Sequence, residues 1–174
     1  MQLMTPRLCL TRLQPEDWHI FKTVHQQAAT MTWVSDIPDE EDIRQRFTER
    51  LVPWQITSFH MLCLVARLRD SGEPIGLFGC SAEWAPHRQA EVGYMLAQAF
   101  TGKGYGSEAL AALCTFLLDA EFHKLKALVV EGNWPSRRIL EKNGFVLEGT
   151  LQDNYLLKGD WVNDWAFGRL NPRA

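Results

Sequence analysis

The sequence predicts a mixed α+β fold: one domain built on a mostly antiparallel sheet. Three observations carry that reading. Strand-length apolar runs follow one another through tight turns in the middle of the chain. Helical periodicity precedes and follows them, and two long strand-like runs close the chain as a hairpin. The 174 residues, 46% of them hydrophobic, suit a single domain over residues 1–174. A chain of this length buries about two-thirds of the surface its unfolded form exposes, so it needs no metal or disulfide staple.

The elements follow in order. Residues 7–13 (RLCLTRL) alternate polar with apolar, the period of a half-buried strand. Gln14-Pro15-Glu16-Asp17 opens a helix with Pro and acids in its first turn, and Trp18, Phe21, Val24 and His25 follow at helical spacing. Residues 38–42 open a second helix in the same way; Ile43, Phe47 and Leu51 share one face and Pro53 ends it. Residues 60–69 and 74–84 read as strands around the turn Asp70-Ser71-Gly72-Glu73, and residues 90–97 as a third strand after Pro86-His87-Arg88. A glycine-rich loop then leads into an apolar helix over residues 107–122, with Leu110, Leu113, Cys114 and Leu117 on one face. Residues 125–131 form a short, nearly all apolar strand that belongs in the centre of the sheet. Asn133-Trp134-Pro135-Ser136 caps a helix running to Lys142, which Asn143-Gly144 stops through a left-handed residue. Residues 145–157 and 160–170 make the closing hairpin.

Composition narrows the function classes. Charged residues make up 22% and the net charge is -3, which argues against a disordered chain and against a generally basic nucleic-acid binder. No run approaches the roughly 20 apolar residues of a membrane-spanning helix, and the first seven residues lack the apolar core of a secretory signal. A cytoplasmic protein is expected, with no membrane partner. Cys9, Cys63, Cys80 and Cys114 have no metal-ligand spacing and sit in apolar runs, so they are expected to be buried reduced thiols. The five His are scattered, and no metal site is expected.

The segment Thr101-Gly102-Lys103-Gly104-Tyr105-Gly106 is the most informative local feature. A strand runs into glycines and the glycines into a helix N-terminus, where unpaired N–H groups and the helix dipole favour an anion. Glycines remove side chains that would block a phosphate, and Lys103 adds positive charge. Gly104-x-Gly106-x-x-Ala109 also fits the dinucleotide fingerprint, with Glu131 ending the next strand. Against that reading, the strands before the loop are joined by hairpins and the chain ends in an antiparallel hairpin. No G-x-x-x-x-G-K-[ST] is present.

Motifs along nearly the whole chain resemble the GNAT acyltransferase superfamily, in particular its ribosomal-protein N-acetyltransferase (RimJ/RimL-like) branch. Residues 5–13 (TPRLCLTRL) are similar to its opening T-x-R-L-x-L-R, and Ala90-Glu91-Val92-Gly93-Tyr94 to A-E-I-G-Y. Residues 102–110 (GKGYGSEAL) are similar to G-K-G-Y-A-T-E-A. Asn133-Trp134-Pro135-Ser136 and residues 140–145 (LEKNGF) resemble N-x-x-S followed by L-E-K-x-G-F, and Glu148-Gly149 the E-G that follows. The resemblance implies the GNAT fold: a six- or seven-stranded sheet splayed between its fourth and fifth strands and flanked by about four helices. It implies acetyl-CoA as donor and a primary amine as acceptor, foremost a protein N-terminal α-amine. Polyamine, amino-acid or antibiotic acetylation, or a non-catalytic acyl-CoA-binding module, stand as alternatives. A monomer or a homodimer is expected.

By the same resemblance, backbone groups of Met95, Leu96 and Ala97 would pair with the pantetheine. The amides of Gly102, Lys103, Gly104, Tyr105, Gly106 and Ser107 would hold the pyrophosphate. Thr101 departs from the Gln or Arg common at its position. Acetyl transfer needs a neutral amine, a stabilised oxyanion and a protonated leaving thiolate. Glu91 matches a position used as base in parts of the superfamily, with Asp36, Glu83 and water as competitors. Ser136 matches the residue near the CoA sulfur, and otherwise caps its helix. Asn133 would orient the pantetheine or form an Asx-turn, and the Met95 amide would serve the oxyanion. Arg137, Arg138 and Lys142 face either the 3′-phosphate or solvent. Trp33, Trp54 and Trp84 line an acceptor pocket or fill the core. With no thiol beside an activating base, direct attack in a ternary complex is expected rather than an acetyl-enzyme.

Overall fold

The computed structural model describes residues 1–173. In chain order the elements are β1 (Gln2–Met4), β2 (Leu8–Arg12), α1 (Trp18–Gln26), α2 (Ala28–Met31), α3 (Glu40–Leu51), β3 (Leu62–Leu68), β4 (Pro74–Glu83) and β5 (Gln89–Leu96). There follow α4 (Tyr105–Asp119), β6 (Lys124–Val130), α5 (Trp134–Lys142), β7 (Val146–Leu157) and β8 (Asp160–Leu170). The strands form one eight-stranded sheet in the order β1-β2-β3-β4-β5-β6-β8-β7. Every neighbouring pair is antiparallel except β5–β6.

Two elements go beyond the sequence expectation. β1 pairs with β2 through Gln2↔Thr11 to Met4↔Cys9; three residues are too few to show a period of two. α2 is a single turn, too short to show a helical period. The other elements fall where the periodicity places them, with one shift that matters. α4 begins at Tyr105, inside the glycine loop, because Gly104 is its N-cap.

Both faces of the sheet are covered, which explains why Leu62 to Ala66 of β3 are all buried. On one face Leu62, Leu64, Phe78 and Val92 pack against Leu110, Leu113 and Leu117 of α4 and Leu140 of α5. On the other, Cys63, Val65 and Leu77 meet Ile20, Phe21 and Val24 of α1 and Ile43 and Phe47 of α3. Each fully buried Leu or Phe contributes roughly 1.5–3 kcal/mol, so the two layers fix the helices relative to the strands. Among the described residues no helix is long and apolar enough to cross a membrane.

The one parallel pair creates the opening. β5 and β6 touch only at Gln89↔Lys124, Ala90↔Leu125 and Glu91↔Lys126. Beyond Glu91, β6 stays paired with β8 and β5 with β4. The sheet therefore splits between Val92–Leu96 and Ala127–Val130.

Candidate active site

A cleft of about 260 Å³ occupies the split, with Gly93, Tyr94, Ala127, Asn133 and Ser136 among its walls. The glycine loop follows the end of β5 in the chain, and none of its residues lines this cleft. Gly102 and Gly104 both adopt left-handed backbone, at φ +74 and +83, a region that costs other residues. A Cβ at Gly104 would stand 3.3 Å from Arg7 Nη2, whereas one at Gly102 would meet nothing within 4 Å. The loop is thus open on its outer side and braced on its inner side. The first intrahelical bond of α4 runs from Glu108 N–H to the Gly104 carbonyl at 3.1 Å, so the preceding N–H groups have no partner within the helix. Such a backbone fits the phosphates of a CoA-like ligand. Thr101 is exposed, its hydroxyl donating back to the Gln98 carbonyl at 2.8 Å. Lys103 is exposed, with Nζ 5.6 Å above the Phe100 ring. From the other side Asn143 donates to Ser107 Oγ at 3.2 Å and to the Ile139 carbonyl at 2.8 Å, tying α5 to the loop.

The strand register corrects the expectation for Met95 and Ala97. Ala97 N–H donates to the Ile75 carbonyl at 2.8 Å, and Met95 is paired with Leu77 in an unbroken register. The alternation of an antiparallel ladder then turns the Met95 main chain and the Ala97 N–H toward β4, while the Ala97 carbonyl accepts from Phe100 N–H at 2.9 Å. The Met95 amide is therefore turned away from the oxyanion role. The backbone facing the gap is that of Tyr94 and Leu96, and the Leu96 carbonyl accepts from Thr30 Oγ1 at 3.3 Å.

Ser136 and Tyr94 meet across the split. Their hydroxyls lie 2.7 Å apart, and the Tyr94 hydroxyl is 3.2 Å from the Ser136 carbonyl. Burial pushes the Tyr94 phenol up to about 12, against the opposing pull of its Ser136 bond. Helix capping falls to Asn133, whose Oδ1 accepts from Ser136 N–H at 3.3 Å. The Ser136 hydroxyl is free of that task. Tyr94 itself was read only as part of a strand motif, since a tyrosine in an apolar strand is ordinarily core.

Glu91 is exposed at the last paired position before the split, and does not line the cleft. By strand alternation it shares the α1–α3 face with Gly93 and Met95. Its competitors are engaged elsewhere. Asp36 Oδ1 accepts from Lys158 N–H at 2.9 Å, and Glu83 stands 3.8 Å from Lys126. Of the three tryptophans only Trp33 reaches the cleft; Trp54 is buried and Trp84 packs edge-on against Phe122. Arg137 stacks over Trp165 at 4.8 Å and pairs with Glu141 at 2.8 Å, while Arg138 and Lys142 are exposed. Cys63 lines the cleft, but burial pushes its thiol up to about 11, more than Arg50 lowers it. Cys80 and Cys114 are buried, and Cys9 only half-buried. Among the described residues no group of three or more His, Cys, Asp or Glu has metal-binding geometry.

The formally charged side chain in the cleft wall is Arg50. No sequence signal marked it, although it follows Ile43 and Phe47 on the inward face of α3 at i+7 and i+3.

A family model for the acetyltransferase (GNAT) domain matches residues 7–146. An uncharacterized N-acetyltransferase, p20, from Bacillus licheniformis is 25% identical over 97% of this chain and 95% of its own length. A ribosomal L7/L12 α-N-protein acetyltransferase, RimL, solved with coenzyme A, superposes with a TM-score of 0.86 at 19% identity, covering 98% of both chains. A spermidine N-acetyltransferase from Vibrio cholerae, solved with CoA and spermine, superposes with a TM-score of 0.83 at 19% identity, covering 96% of this chain and 97% of its own.

Proposed function

The chain belongs to the acetyltransferase (GNAT) domain family, and from that premise we propose that it transfers the acetyl group of acetyl-CoA to a primary α-amine of the kind found at a protein N-terminus. The observation that carries the choice of acceptor is the charge of the cleft: among the described residues its wall offers no carboxylate, and its formal charge is the Arg50 cation. An α-amine has an ordinary pKa of about 7.7–8.0 and an alkyl ammonium about 10.4. An α-amine is thus partly neutral near pH 7 without a base at contact distance. A polyamine would need both a strong base and acids to hold its second charge. RimL, one of the structural neighbours, acts on such an α-amine; a second neighbour acts on spermidine.

Acetyl-CoA supplies the activated thioester. The Gly102–Ser107 backbone receives the phosphates, and the main chain of Tyr94 and Leu96 faces the pantetheine. The amine attacks directly: the N–C bond forms, the C–S bond breaks, and the nitrogen loses a proton to water, from which Glu91 accepts it. The Ser136 hydroxyl hydrogen-bonds the departing thiolate, which takes its proton from water, while Tyr94, protonated across the neutral range, supports the Ser136 oxygen. Cys63 stays a thiol and forms no acetyl-enzyme.

Release of free CoA thiol with N-terminal peptides and with spermidine tests this reading. Turnover with peptides and little with spermidine is expected. Gly104→Asp should weaken CoA binding at least 100-fold, because it places a side chain and a negative charge in the left-handed turn. Tight CoA binding with no turnover of any amine would favour a non-catalytic acyl-CoA-binding module.

A further inference from the structure

Arg50 is a cation without an anion. It is half-buried on the face of α3 that carries Ile43 and Phe47, and among the described residues no carboxylate lies within 4.0 Å of it. Its neighbours are the Phe21 ring, 5.4 Å from the guanidinium carbon, and the Cys63 thiol. Of the other half-buried arginines, Arg67 pairs with Asp17 and Arg137 with Glu141, while Arg12, which donates to the Val52 carbonyl, and Arg169 have no carboxylate partner among the described residues; Arg50 differs from these two in lining the cleft. A guanidinium partly withdrawn from water, with no carboxylate beside it, favours an anion that enters the cleft.

The floor of the cleft says where that anion comes from. Cys63 pairs with Gly79 on β4, and Gly79 with Gly93 on β5. A Cβ at Gly93 would meet nothing within 4 Å. Along this row from Cys63 to Gly93, two strand spacings or roughly 10 Å, Cys63 carries the one side chain; a Cβ at Gly79 would collide with the Leu62 carbonyl, and the row is open at Gly93. The CoA phosphates belong at the glycine loop, which does not line the cleft. The ligand that crosses this floor is the acceptor.

We propose that Arg50 binds a carboxylate carried by the acceptor, so that the substrate is an α-amine with a carboxylate a few bonds away. This rests on the acetyltransferase reading above. A free amino acid and a peptide with Asp or Glu just behind its N-terminus both present that chemistry. The guanidinium fork matches a carboxylate through two parallel N–H···O bonds.

The test uses acceptor pairs that differ only in carboxylate against carboxamide: alanine against alaninamide, and Ser-Asp against Ser-Asn at the start of otherwise identical peptides. Each is titrated calorimetrically into the protein–CoA complex and also assayed for turnover. The carboxylate member of one pair should bind about 10- to 100-fold more tightly, and the pair that shows it identifies the source. Arg50→Met should bring that ratio close to one through KM, leaving CoA affinity unchanged, and Arg50→Lys should restore part of it. Equal affinity of both members in the unaltered protein, including none detectable for either, overturns the proposal. So does an Arg50→Met variant that binds CoA normally yet keeps the ratio. If Arg50→Met fails to fold, the unaltered protein and Arg50→Lys decide. Failure of the acetyltransferase reading shows separately, as no turnover of any amine.

Discussion

Arg7 and Glu108 lie 101 residues apart in sequence, and Arg7 Nε donates to Glu108 Oε2 at 2.7 Å. The same guanidinium donates from Nη1 to the Lys103 carbonyl at 3.0 Å and stacks over Tyr105 at 4.4 Å. Thr5 Oγ1 and the Arg7 N–H add bonds of 2.6 and 2.8 Å to Glu108 Oε1. Burial would raise the Glu108 carboxyl, but these donors hold it below its ordinary range. The opening strand motif and the glycine loop are thus one unit, clamped at the start of α4.

The first prediction follows from that clamp. Arg7→Ala frees the Lys103 carbonyl and one side of the Gly104 turn, so the loop must be ordered when CoA binds. Binding of CoA, measured by calorimetry, should weaken about tenfold, with the acceptor KM little changed. A KM effect on the acceptor alone would place Arg7 outside the donor site.

Tyr94→Phe and Ser136→Ala should each lower kcat about 10- to 100-fold and leave CoA affinity nearly unchanged. The two hydroxyls act as a pair at 2.7 Å, so the double variant should lose little more than Ser136→Ala alone. Additive losses in that cycle would mean the hydroxyls act independently.

How much of this site was legible in the sequence depends on how local its signals are. The glycine loop was legible because left-handed turns and a helix start are written in adjacent residues. The split was expected from resemblance, and the structure shows its origin in a β5–β6 pairing that ends at Glu91. The Arg7–Glu108 clamp was hidden because it joins distant segments. Tyr94 was hidden because an aromatic residue in a strand reads as core. Which amides face the gap is a matter of register, and a one-residue difference reverses it; this is why Met95 and Ala97 were misplaced. Arg50 was hidden because a charged residue on a polar helix reads as solvated, although its spacing from Ile43 and Phe47 puts it on the inward stripe.

Glu91 is exposed and does not line the cleft, so in the proposed mechanism it acts through water. An obligatory base contributes typically 10²–10⁴-fold. Glu91→Gln should lower kcat/KM for an α-amine acceptor less than about tenfold, and most at low pH, where the amine is least often neutral. A pH–rate profile checks this. A loss above 100-fold at pH 8 would mean that Glu91 touches the reacting nitrogen.

The last prediction concerns stability and lies in the second core. His25 is 2% exposed, its Nδ1–H donates to the Phe21 carbonyl at 2.7 Å, and its ring stacks on Phe21 at 4.4 Å. Burial lowers its pKa from 6.5 to about 4; the Phe21 bond opposes this, and the cations Arg50 and Arg46 on α3 add to it. Between those two values the unfolded chain holds a proton on His25 that the folded chain lacks, so stability rises with pH across that window. The contribution is complete above about pH 6.5 and is lost as pH falls through about 4. At 1.36 kcal/mol per pH unit this amounts to about 3 kcal/mol. For a chain of this size that corresponds to a Tm lower by roughly 6–12 °C at pH 4 than at pH 7. His25→Gln keeps a donor for Phe21 and removes the titration, so calorimetric scans should show a flatter Tm profile over the same range. A variant whose Tm falls as steeply as that of the unaltered protein would assign the acid sensitivity to other groups.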